Sequence, residues 1–84
     1  MRSHTLSQRR IKTGDIQRCR ANKWEPGTIL EGNEGHGPER IVITAISEES
    51  ILARRLTNCR GESVDDSEAI WTLAYRRWHR VGVS

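Results

Sequence analysis

The residues best suited to chemistry lie together near the end of the chain, in residues 69–81. This segment holds two of the three tryptophans, the only tyrosine, three arginines and one histidine. Planar aromatic rings interleaved with guanidinium groups suit stacking on bases and pairing with phosphates. The same residue types also form the energetic centres of protein–protein interfaces. The segment therefore predicts a binding surface, with nucleic acid and protein as the two main ligand classes.

Catalysis and metal binding have little support in the sequence. Cys19 and Cys59 are the candidate thiol nucleophiles, and no motif such as Gly-x-Ser-x-Gly joins a nucleophile to a base. A zinc site would need Cys19, His36, Cys59 and His79, which are 17, 23 and 20 residues apart. Those spacings lack the close ligand pairs that are typical of zinc sites. We therefore predict a protein that is not an enzyme, that holds no metal or cofactor, and whose two thiols are free.

Charge is distributed unevenly along the 84 residues. The net charge is +3, but residues 1–22 carry six basic residues and one acidic residue, whereas residues 23–84 carry eight basic and ten acidic residues. Residues 1–22 also lack a sustained apolar face, and Gly14-Asp15 is expected to break any helix there. We predict a flexible, disordered basic arm over residues 1–22 and a small folded domain over residues 23–84.

The folded part has the pattern of several short strands. The turn at Pro26-Gly27 precedes a strand over residues 28–31, and the β-branched run 40–46 predicts a second strand. Residues 51–56 return as its partner after a short polar turn. The glycine-rich residues 32–38 and the polar residues 57–68 predict loops.

Residues 67–81 allow two interpretations. As a helix, they would align their apolar residues on one face, namely Ile70, Leu73, Ala74, Trp78 and Val81. As strands, residues 70–73 and 78–83 would flank a tight turn at 74–77. An isolated hairpin with one helix would leave a thin core, so the strands are favoured. The chain thus predicts an all-β fold of about five short strands that build a barrel or a sandwich.

This order of strands and loops resembles the SH3-like small barrels, including the Tudor and KOW types. The similarity rests on residues 26–30, on residues 41–56 and on residues 70–81. The chain also resembles short phage-encoded proteins with an Ile-Leu-Ala-Arg-Arg strand and a Trp-Thr-Leu…Arg-x-Trp ending. The resemblance implies a binding module without catalytic activity and implies no particular ligand.

Nucleic acid is the favoured partner, held by the basic arm and by the Trp/Arg surface. The predicted contact residues are Arg9, Arg10, Lys12, Arg18, Arg20, Arg54, Arg76, Arg77, Trp78 and Arg80. Trp71 is expected in the core, and Trp78 is open to either an inward or an outward position. The alternative is a protein-binding inhibitor of host defence, including a small-nucleotide sponge, with possible self-association through edge strands. No apolar run approaches the roughly 18 residues that span a membrane, which predicts a location in the host cytoplasm.

Overall fold

An open antiparallel sheet of five strands packs against one helix in the computed structural model, which describes residues 14–74 and 76–84. The helix, α1, covers residues 14–22. The strands are β1 (Thr28–Asn33), β2 (Pro38–Ile46), β3 (Ile51–Thr57), β4 (Ala69–Trp71) and β5 (Trp78–Val83). Their order across the sheet is β4-β3-β2-β1-β5, so β4 and β5 are the two edges.

The strands predicted from the sequence are confirmed, with bounds that differ by a few residues. In the β2–β3 turn, Ser47 N donates to Ser50 O at 2.9 Å. β1 extends beyond its predicted end to Asn33, whose Oδ1 accepts hydrogen bonds from Gly35 N and Gly37 N in the β1–β2 turn. Residues 69–71 and 78–83 are strands. The helical alternative for residues 67–81 is therefore wrong.

The predicted closure into a barrel is not observed. β4 has only three residues, and it pairs with β3 alone. β5 pairs with β1 alone, and the described residues between 72 and 77 form no strand that would join the two edges. The rings of Trp71 and Trp78 bridge the gap instead, edge to face, with centroids 6.1 Å apart. A side-chain contact thus replaces the ladder of hydrogen bonds that a closed barrel requires.

The prediction of a flexible arm is wrong for residues 14–22, which form α1 and belong to the core. Ile16 and Cys19 are three residues apart on one face of α1 and are 2% and 1% exposed. Gly14-Asp15 does not break the helix. Tertiary packing explains the difference, because a small core without phenylalanine gains these two side chains from α1. The predicted contact residues Arg9, Arg10 and Lys12 lie outside the described residues.

The core lies between α1 and one face of the sheet. Its buried members are Ile16, Cys19, Trp24, Leu30, Ile41, Ile43, Ile51, Ala53, Leu73 and Trp78. Burial, together with the negative charge of Asp15, raises the pKa of the Cys19 thiol. Both Cys19 and Cys59 are free thiols. Cys19 therefore stays protonated and acts as an apolar core residue, which does not suit it to nucleophilic chemistry.

Two hydrogen bonds from α1 hold the backbone of one residue near the end of the chain. Asp15 Oδ1 accepts a hydrogen bond from Leu73 N at 3.0 Å, and Arg18 Nη1 donates to Leu73 O. The Leu73 side chain is fully buried. α1 is thus docked by polar contacts as well as by apolar ones, and it reaches a residue 58 positions away from Asp15.

Substitution of Asp15 measures the contribution of this docking to stability. We expect Asp15→Ala to lower the free energy of unfolding by about 2 kcal/mol, because a partly buried hydrogen bond to a charged group is lost. Urea denaturation at neutral pH measures the change. Gln17→Ala, at an exposed position of the same helix, should change stability by less than about 0.5 kcal/mol. Equal effects of the two substitutions would contradict a specific role for Asp15.

Candidate functional site

A groove of about 480 Å³ lies between the end of α1 and the connection from β4 to β5. Its lining residues are Arg18, Asn22, Trp24, Ala74, Arg76, Arg77 and Trp78. Four of these were predicted as contact residues from the sequence. Among the described residues, the lining includes three arginines and no carboxylate. A groove with this lining suits an anionic ligand that also offers apolar or aromatic surface.

Helical geometry places Arg18 and Asn22 on the same wall of the groove. Residues four apart lie on one side of a helix, and Asn22 Nδ2 donates to Arg18 O at 2.8 Å. One guanidinium nitrogen of Arg18 is engaged by Leu73 O. That contact orients the side chain, and the remaining N–H groups of this exposed residue are available to a ligand.

Trp78 faces inward, which decides between the two positions that the sequence left open. The residue is 7% exposed and belongs to the core cluster. Arg76 Cζ lies 4.8 Å from the centroid of its ring. A Cβ atom on Gly32 would lie 2.8 Å from Trp78 Cδ2 and Cε3, so only glycine allows this close packing. Trp78 therefore does not present an open ring face for stacking. Trp71 is half-buried and packs against the core, as predicted.

Arg76 is engaged within the protein by two carboxylates. Arg76 Nη1 lies 2.5 Å from Glu39 Oε1, and Arg76 Nη2 pairs with Glu34 Oε1. The Arg76 side chain is only 12% exposed. Burial alone would lower the pKa of Arg76, but the hydrogen bonds to Glu39 and Glu34 raise it above its ordinary value. Arg76 is thus a permanent cation that holds the β4–β5 connection to the β1–β2 region.

Glu39 joins this ion pair to a second arginine. Arg55 Nη1 lies 3.2 Å from Glu39 Oε2, and Arg55 Nε lies 2.8 Å from Asp66 Oδ2. Hydrogen bonds to Glu39 and Asp66 raise the pKa of Arg55. Burial alone would raise the pKa of Glu39, but the hydrogen bonds and charges of Arg76 and Arg55 hold it below its ordinary value. Glu39 therefore carries a negative charge between two fixed cations.

Three predicted contact residues are not part of the groove. Arg20 is exposed on α1, and Arg80 is exposed on the edge strand β5. Arg54 is half-buried on β3, opposite Val42, which lies outside the core cluster. The structure thus brings together Arg18, Arg76, Arg77 and Trp78, and it separates them from Arg20, Arg54 and Arg80.

Sequence reasoning missed Asn22, Trp24 and Ala74 as groove residues, together with the carboxylates that pair with Arg76. Of these groove residues only Asn22 had a signal, which is its four-residue spacing from Arg18 on a helix. That signal was hidden because residues 1–22 were read as a flexible arm. Glu39 and Glu34 had no local signal, because their partner Arg76 is 37 and 42 residues away in sequence.

A smaller cavity of about 160 Å³ is lined by two of the four candidate zinc ligands. It brings His36 and Cys59 together, beside Glu34, Glu39 and Arg76. The two carboxylates are already paired with arginine, and Cys19 is buried in the core. In the described part of the chain, no group of three or more His, Cys, Asp or Glu residues is arranged to hold a metal ion.

The described helical residues include no segment that is long and apolar enough to cross a membrane. No curated protein and no solved structure matches the chain. A family model does match, over residues 13–82 of the 84, and this range includes α1, the strands except for the last residue of β5, and every residue of the groove. The chain therefore belongs to the family described as a domain of unknown function, DUF7241.

Proposed function

We propose that this protein binds nucleic acid without catalysis, and that the groove beside α1 holds the phosphate backbone. The observation that supports this most is the cationic lining of the groove, with Arg18 on one wall and Arg77 on the other. Both residues are exposed, and the described structure gives neither of them a carboxylate partner. Guanidinium groups of this kind pair with phosphate oxygens, often through two hydrogen bonds.

The overall charge of the body does not oppose this proposal. Acidic residues lie mainly in the β2–β3 turn and in the loop from β3 to β4, namely Glu48, Glu49, Glu62, Asp65, Asp66 and Glu68. None of them lines the groove. A local cationic groove attracts a polyanion even when the net charge of the domain is close to zero.

The residues predicted for nucleic-acid contact take different roles in this proposal. Arg18 and Arg77 contact phosphate. Arg76 and Trp78 form the floor of the groove, because Glu34 and Glu39 occupy the guanidinium of Arg76 and the core holds the ring of Trp78. Arg9, Arg10 and Lys12 precede α1 in sequence, and we propose that they extend the phosphate contacts beyond the groove.

A salt titration with a matched pair of variants tests this function. Binding of a fluorescein-labelled oligonucleotide is measured by anisotropy over a series of salt concentrations. We expect Arg77→Gln to weaken binding about tenfold and to reduce the slope of log K against log salt by roughly 0.7 to 0.9, because one phosphate contact is lost. Arg60→Gln removes the same charge from an exposed loop outside the groove.

The control sets the criterion for rejecting the groove. If Arg60→Gln and Arg77→Gln weaken binding equally, oligonucleotide binding depends on the overall charge of the protein alone, and the groove is not the interface. If the wild-type chain binds no oligonucleotide at low salt, the proposed function itself is wrong.

A protein-binding role, including inhibition of a host defence enzyme, is the second candidate. It is supported by the two unclosed edge strands, which carry the most exposed large apolar residues of the described chain. Ile70 on β4 is 72% exposed, and Val83 on β5 is 60% exposed. Exposed strand edges favour the addition of a strand from another chain or from a second copy of this one. Capture of a protein from nuclease-treated host lysate, with no oligonucleotide binding, would favour this candidate.

A further inference from the structure

One buried hydrogen-bond donor in the described structure has no acceptor, and it belongs to a groove residue. Trp78 is 7% exposed, and its Nε1 is the only buried side-chain nitrogen or oxygen without a hydrogen-bond partner in the described part of the chain. Buried donors of this kind are nearly always paired in folded proteins, because an unpaired donor has lost water and gained nothing in return.

The described side chains that contact the Trp78 ring do not supply the acceptor. Arg76 covers one side of the ring, and Trp71 meets it at an interplanar angle of 85°. Arginine and tryptophan side chains offer only N–H donors. Gly32 packs against Cδ2 and Cε3, which lie on the edge of the indole opposite to Nε1. The groove, which Trp78 also lines, is where a ligand can bring an acceptor to this side chain.

The lining of the groove indicates what kind of molecule carries that acceptor. Arg18 and Arg77 suit phosphate, whereas Trp24, Ala74 and Trp78 provide apolar surface beside them. A nucleotide combines a phosphate with a flat ring whose edge carries carbonyl and ring-nitrogen acceptors. In a duplex, every base is stacked and its Watson–Crick edge is paired, so a groove of about 480 Å³ can take in only a base that has left the stack.

We infer that the groove selects single-stranded over double-stranded nucleic acid, by taking in one unpaired base that accepts a hydrogen bond from Trp78 Nε1. This inference rests on the proposed function and specifies its ligand. Nε1 itself has less than 1 Å² of exposed surface in the free protein. The groups that cover Nε1 must therefore move as the base enters. Binding is then accompanied by a change around the indole, which tryptophan fluorescence detects.

The experiment compares two tryptophan variants of the full chain on single-stranded and duplex oligonucleotides of equal length. We expect Trp78→Phe to weaken single-strand binding about fivefold to tenfold, the effect of one lost hydrogen bond, with an unchanged salt slope. Trp71→Phe is the control, since Trp71 contacts the Trp78 ring but does not line the groove. We expect it to leave single-strand affinity within twofold of wild type. Wild type should bind the single strand more tightly than the duplex.

A second variant keeps the test valid if Trp78→Phe fails to fold. Replacement of Trp78 by 3-benzothienylalanine keeps the size and shape of the indole and substitutes sulfur for the N–H. The same loss of single-strand affinity is expected.

Equal single-strand affinity of this variant and wild type overturns the inference, as does a wild-type preference for duplex. Either result leaves the salt-dependent binding of the proposed function intact, so the two failures are distinguishable.

Discussion

Gly37→Ala should cost most or all of the stability of this domain. Gly37 has φ +121°, a backbone conformation that residues with a Cβ rarely adopt. A Cβ at this position would also overlap the carbonyl oxygen of Cys59 and lie 3.2 Å from its carbonyl carbon. Because the obstacle is backbone, no side-chain rotation relieves it. We expect the free energy of unfolding to fall by about 4 kcal/mol or more, against a total of only about 3 to 5 kcal/mol for a core of this size.

Gly35→Ala is the matched control for this prediction. Gly35 lies in the same turn with φ +111°, and nothing lies within 4 Å of the position of its Cβ. Gly35→Ala should therefore cost only the strain of an alanine at positive φ, which is about 1 to 2 kcal/mol in the free energy of unfolding. Circular dichroism during urea denaturation compares the two variants. If both alanines cost the same, the close approach of the β1–β2 turn to the loop after β3 does not contribute to stability.

Glu39→Gln should have the second largest effect. Glu39 is the only described carboxylate that pairs with both Arg55 and Arg76, and its side chain is 15% exposed. The glutamine leaves two arginines without their shared negative charge, one of them 12% exposed. We expect a loss of about 3 kcal/mol in the free energy of unfolding, because breaking a buried ion pair leaves charge uncompensated. Glu34→Gln should cost less than about 1 kcal/mol, since Glu34 is 46% exposed.

The pH dependence of stability provides a second measure of the Glu39 contribution. The pKa of Glu39 is lower in the folded protein than in the unfolded chain, where glutamate titrates near about 4.3. As the pH falls, the unfolded chain takes up the proton first, so its population increases. The stabilisation is complete above the unfolded pKa and is lost as the pH falls through the folded one. Glu39→Gln should therefore lose less stability than wild type as the pH falls through about 4.3 and below. Parallel pH profiles for the two proteins would contradict this role.

The sequence predicted the strands well because their signals are local. The β-branched run in β2 and the polar turn after it predict a hairpin without reference to the rest of the chain. β5 was predicted at its observed residues, 78–83, by the same reasoning. The strands predicted at residues 70–73 and 78–83, the first of which is observed at 69–71, also followed from a global argument, which is that a helix there would leave too thin a core.

The features that the sequence did not predict depend on contacts between residues that are far apart in the chain. α1 has two buried apolar side chains on one face, too few for a helical pattern to be recognised, and its partner Leu73 is more than 50 residues away. Whether the sheet closes depends on the length of β4, which no local pattern defines. In the groove, the arginines were identified by residue type, but the role of Arg76 follows from Glu34 and Glu39, which only the fold brings to it.

The two hydrogen bonds between α1 and the Leu73 backbone also affect how the chain folds during its synthesis. Asp15 leaves the ribosome 58 residues before its hydrogen-bond partner Leu73. The hairpin of β2 and β3 can form early from local contacts, whereas Ile16 and Cys19 have no complete core to enter until the final segment emerges. The nascent chain therefore exposes the apolar face of α1 until Leu73 and Trp78 have been synthesised. Loss of residues 73–84 would leave α1, as well as β5, without its place in the fold.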